Sequence, residues 1–109
     1  MPTAYKVLGQ IAPSATTATA IYTVPSATQT VVSSVSVCNR AGTAATFRLS
    51  VRPDGASLAN QHYLVYDAAL DANDTIILTI GVTMDATDVL EGYASSGDLT
   101  FHAYGSETT

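Results

Sequence analysis

The sequence predicts an all-β fold: one antiparallel β-sandwich of about eight strands, with jelly-roll or Ig-like Greek-key connections. Three observations predict it. Apolar residues recur at period two along most of the chain, the spacing that places successive side chains on opposite faces of a strand. Turn formers break these runs at Pro13-Ser14, Pro25-Ser26, Ala41-Gly42-Thr43, Pro53-Asp54-Gly55, Asp71 to Asp74, Asp85 to Asp88 and Ser95 to Asp98. No window carries a helical period, and 109 residues form a single domain, 1–109, able to bury about 60 to 70% of the surface of its unfolded chain.

Taken in order, Ala4 to Leu8 and Ala20 to Val24 are short segments rich in Tyr, Val, Ile and Leu, bounded by turn formers. From Thr30 to Asn39, Val31, Val35 and Val37 fall on one face, interrupted by Ser33. Thr46 to Arg52 alternates most cleanly: Phe47, Leu49 and Val51 point inward, and Thr46, Arg48, Ser50 and Arg52 outward. Asp54 to Asn60 has no pattern and reads as an exposed loop or a short helical turn. In His62 to Asp67, alternation puts Tyr63 and Tyr66 on opposite faces. Ile76, Leu78 and Ile80 share a face between Asp74 and Gly81, Val89 to Ala94 follows, and Leu99, Phe101 and Ala103 close the chain. Pro13-Ser14-Ala15-Thr16 echoes in Pro25-Ser26-Ala27-Thr28, and Asp71-Ala72-Asn73-Asp74 in Asp85-Ala86-Thr87-Asp88, which predicts reuse of one turn solution.

Charge is sparse and segregated. Only 12% of residues are charged, about half the usual fraction, so the surface is rich in uncharged hydroxyls that dehydrate at less cost than ions. All four basic residues, Lys6, Arg40, Arg48 and Arg52, precede Pro53, and all nine acids follow it. The fold must therefore bring the two halves together or display two oppositely charged faces. A net charge of −5 with four cations opposes nucleic acid as a partner. No run approaches the length of a membrane span, and the N-terminal residues do not form a signal peptide. Cys38 is the only cysteine; its setting reads as a small buried hydrophobe.

Candidate chemistry is thin. Asp71, Asn73 and Asp74 are the best metal-ligand candidates, with Asp85 and Asp88 converging from the equivalent turn, but the spacing completes no calcium loop and the turn-forming role outweighs it. Cys38, His62 and His102 lack any motif that would fix them together as a catalytic set, so no enzyme and no cofactor is expected. Asn73-Asp74-Thr75 is formally a glycosylation sequon and reads as a turn. Tyr5, Tyr22, Tyr93 and Tyr104 are assigned to core or rim packing, with contact to another subunit as the alternative. Arg48 and Arg52 either pair with acids of their own sheet or accept the acidic turns of an adjacent copy. The candidate interface residues are thus Arg48, Arg52, Tyr63, Tyr66, Asp71, Asp74, Asp85 and Asp88.

The strings Tyr5 to Gln10, Ile21 to Pro25, Val31 to Arg40, His62 to Asp67, Leu99 to Phe101 and Gly105 to Glu107 resemble short virion structural proteins of tailed bacteriophages. The resemblance implies a β-rich component present in many copies on a capsid or tail, made in the bacterial host cytoplasm and needing no export signal. It implies contact with a major capsid protein or other virion proteins and a homo-oligomer, a trimer being favoured. Its motifs are structural strings, and no functional residue is carried over from them.

Overall fold

The computed structural model describes residues 2–109, which form eight strands: β1 (Thr3–Ile11), β2 (Thr19–Thr23), β3 (Gln29–Asn39), β4 (Ala45–Arg52), β5 (Tyr63–Leu70), β6 (Thr75–Met84), β7 (Val89–Ala94) and β8 (Leu99–Thr108). Two four-stranded antiparallel sheets result, one ordered β1-β8-β3-β6 and the other β2-β7-β4-β5. Strands β1 to β4 alternate between the sheets, and β5 to β8 return beside them in reverse, so that β1 lies on β8, β2 on β7, β3 on β6 and β4 on β5. This is one long hairpin rolled up, and it selects the jelly roll over the Ig-like alternative. The patternless segment at the hairpin's tip holds two 3₁₀ turns, Pro53–Gly55 and Asn60–His62.

The core lies between the sheets. Phe47 and Phe101 meet edge to face at 6.2 Å, surrounded by Val35, Val37, Leu49, Leu90 and Leu99, all fully buried. Gly92 leaves room for the Phe101 ring, which lies where a side chain would begin.

Three face assignments from alternation are overturned, in two cases by β-bulges. At Ser33 the register of β3 shifts against both β6 and β8, resetting the phase. Val32, not Val31, therefore joins Val35 and Val37 in the core, and Val31 is exposed. In β5 the register breaks twice against β4, around Leu64 and around Tyr66-Asp67. The bulge at Leu64 reverses the phase, so Tyr63 and Tyr66 share a face and touch edge to face at 4.8 Å, and the second bulge sets the phase back beyond them. Cys38 follows Val37 and turns outward, only partly buried. His62 lies in the second 3₁₀ turn rather than in a strand.

Candidate functional site

The outer face of the β2-β7-β4-β5 sheet carries the predicted cationic strand. Arg48 lies between two rings, its guanidinium carbon 4.2 Å from the Tyr66 centroid and 4.4 Å from that of Tyr93. Its Nε donates to Asp67 of β5 at 2.7 Å; this contact raises the Arg48 pKa, so the guanidinium stays charged. Arg52 donates to Glu91 of β7 at 3.1 Å and to the carbonyls of Gly55 and Ala56. Both arginines are thus engaged within their own sheet, the first of the two alternatives the sequence offered. Beside the exposed Asp67 carboxylate, Tyr66 is 59% exposed and Leu64 48%.

The acidic turns do not converge. Asp71 to Asp74 leads into β6 and Asp85 to Asp88 leaves it, so ten residues at about 3.3 Å each separate them. Each is built the same way: the third residue is left-handed, Asn73 at φ 55° and Thr87 at φ 70°, and the fourth amide returns to the first carbonyl. The turn is reused as the echo predicts. Its carboxylates serve the backbone, Asp74 accepting from Thr75 N–H, Asp85 from Ala86 N–H, and Asp88 from both Asp54 and Asp85 N–H. Among the described residues no three His, Cys, Asp or Glu side chains are grouped to hold a metal ion.

Cys38, His62 and His102 form no constellation either. Cys38 and His102 lie on β3 and β8 of one sheet, while His62 precedes β5 of the other and accepts the Ala59 amide. His102 Nδ1 is shared by Gln10 Nε2 at 3.3 Å and Tyr104 hydroxyl at 3.1 Å.

Sequence reasoning missed a polar cluster between the sheets. Tyr22, buried in β2, bonds Thr30 of β3 at 2.8 Å and donates to Glu107 of β8, which also meets Lys6 of β1 at 2.7 Å. Burial and the carboxylate push the Tyr22 hydroxyl up to about 12. Hydrogen bonds from Lys6 and then Tyr22 hold Glu107 below its usual range. The cluster ties four strands of both sheets together.

The outer face of the β1-β8-β3-β6 sheet is different again. Register places Thr3, Tyr5, Val7 and Gln10 of β1 beside Thr100, His102, Tyr104, Ser106 and Thr108 of β8 on this side. Val31, Ser34, Ser36 and Cys38 of β3 continue the rows to Thr75, Ile77, Thr79 and Thr83 of β6. No Asp, Glu, Lys or Arg is among them. Tyr5 is 86% exposed, Ile77 66%, Val7 50% and Val31 43%. Tyr5, Val7, Val31 and Tyr104 line a shallow groove across it, together with Lys6, whose charge is paired with Glu107. Sequence reasoning does not single out this face, because its members come from all four strands; the scarcity of charge is its only signal. Among the described residues no helix is long and apolar enough to cross a membrane. No protein-family model matches the chain, and no curated protein sequence matches it.

Proposed function

We propose that the chain is a non-enzymatic structural subunit of a phage virion, a capsid decoration or cement protein that stabilises the head through many weak protein contacts. The observation that carries this reading is the uncharged outer face of the β1-β8-β3-β6 sheet, with Tyr5, Val7, Val31 and Ile77 exposed on it. Four strands about 4.8 Å apart and ten residues long at about 3.3 Å each present roughly 600 Å². Paired, such faces bury about 1,200 Å², the lower bound of stable specific interfaces. In a chain of net charge −5, this is the surface on which copies or capsomers meet without like-charge repulsion. Repetition over a capsid then multiplies a modest contact. The jelly roll, a fold used by viral capsid proteins, is compatible with the role but supports it by analogy alone.

The test is cosedimentation of the purified chain with undecorated heads and with isolated tails. Decoration predicts saturable binding to heads and a raised head-disruption temperature, both lost with a Tyr5→Asp/Val31→Asp double variant. Binding to tails alone refutes the decoration role, and binding to neither refutes the virion reading. A second reading, a tail or host-adhesion module that binds a cell-surface glycan, is favoured by the exposed Tyr66 ring beside Tyr63, Arg48 and Tyr93. A glycan array positive for the wild type and silent for Tyr66→Ala selects it.

A further inference from the structure

The four sheet edges are not equally protected. Strand β1 carries Lys6 and a register break between Val7 and Gly9. Strand β2 is five residues long and breaks at Ile21. Strand β5 has two breaks and the charged Asp67 at φ 51°. These are the devices by which proteins discourage unwanted strand pairing. Strand β6, Thr-Ile-Ile-Leu-Thr-Ile-Gly-Val-Thr-Met, has ten residues, no charge and no proline. Its one irregularity, where Ile80 and Gly81 (φ 57°) lie opposite the single residue Ser33, comes late and leaves Thr75 to Thr79 regular.

The strand is also under-covered. It ends its sheet and makes its extensive contacts with β3 alone. The inward side chains Ile76, Leu78, Ile80 and Val82 reach only the margin of the core and stay partly buried. An added strand would supply hydrogen-bond partners to the free backbone groups and apolar cover to these side chains.

The flanking charges identify the occupant. Asp71 and Asp74 stand before β6, and Asp85 and Asp88 after it. A second copy pairing antiparallel would set Asp71 and Asp74 against Asp85 and Asp88, and a parallel one would set each turn against itself. Both oppose carboxylates to carboxylates, which is unfavourable. We propose that the β6 edge docks an extended segment of a partner protein, one with alternating apolar side chains and with Lys or Arg at its ends. The inference deepens the assembly reading and rests on it only for the origin of the segment.

The probe is a capped ten-residue peptide of alternating Thr and Val with two Lys at each end, compared with the same peptide ended by Glu. Hydrogen exchange of the full chain is expected to slow at Thr75 to Thr79 when the Lys-ended peptide is added. Affinity is expected to fall at least tenfold for the Glu-ended peptide and for Ile77→Lys. Ile77 is 66% exposed, so thermal melting of that variant reports whether it is folded. Leu58→Lys, which adds the same charge in the hairpin-tip loop, leaves affinity unchanged. Absence of binding, equal binding of both peptides, protection confined to other strands, or peptide-free protection of β6 that grows with protein concentration would each overturn the proposal. Because no capsid is involved, failure of head binding leaves it standing.

Discussion

Asn39, buried at the end of β3, spends its amide on backbone. Its Nδ2 donates to the carbonyls of Thr43, Leu70 and Asp71 at 2.9 to 3.3 Å, and its Oδ1 accepts from Ala41 N–H. One side chain thus ties the β3–β4 loop to the β5–β6 turn. Asn39→Ala strands several buried groups at once and is expected to cost about 3 kcal/mol, read from urea unfolding. Glu107 gives acid sensitivity. Its folded pKa is below the ordinary 4.5, so its contribution is complete above that value and is lost as pH falls through the lower folded one. Tyr22 works in the opposite direction. Its folded value of about 12 exceeds the ordinary 10, so its contribution holds below pH 10 and is lost as pH climbs toward 12. Melting temperature against pH is expected to flatten on the acid side in Glu107→Gln and on the alkaline side in Tyr22→Phe.

Among the strands, two glycines in irregular stretches make a controlled comparison. A Cβ on Gly105 would fall on the Val31 carbonyl, where the bulge draws β3 against β8, and nothing flexible is there to yield. Gly81 has open space but a left-handed φ of 57°. Gly105→Ala is therefore expected to cost about 3 kcal/mol or more, and Gly81→Ala only about 1, by chemical denaturation. The same bulges mark what could be read from the sequence. Strand existence was legible because a half-buried strand writes its period directly into Phe47, Leu49 and Val51. The side on which Val31, Tyr63 and Tyr66 fall was not, since one inserted residue reverses every later assignment and carries no residue type of its own. The equivalent acidic turns were legible as an echo, but their separation depends on β6 running between them.

For the molecule as a whole, all six strand pairings join the first half of the chain to the second: none is formed within β1 to β4 or within β5 to β8. The charge segregation follows the same division. Lys6–Glu107, Arg48–Asp67 and Arg52–Glu91 each bridge the halves, so a split visible in the linear sequence becomes local neutrality in the sheets. That split was a sequence signal for the jelly roll over the Ig-like fold, because a rolled hairpin matches early strands only with late ones. Fragments 1–57 and 58–109 are each expected to be disordered alone by circular dichroism and to form β-structure on mixing. Their association rate should fall as salt rises from about 10 mM to 500 mM, because all four cations lie on one piece and eight of nine acids on the other.

The rolled hairpin also fixes an order of events during synthesis. While the ribosome is making β1 to β4, no strand has a partner within the nascent chain, whose only charged side chains are cationic. The first sheet contact becomes available when β5 appears beside β4 at the hairpin's tip. The last, β1 on β8, must wait until β8 has been made. Sheet formation can therefore proceed only from the hairpin's tip outward, and a truncation that removes β8 alone leaves β1 without a place in any sheet.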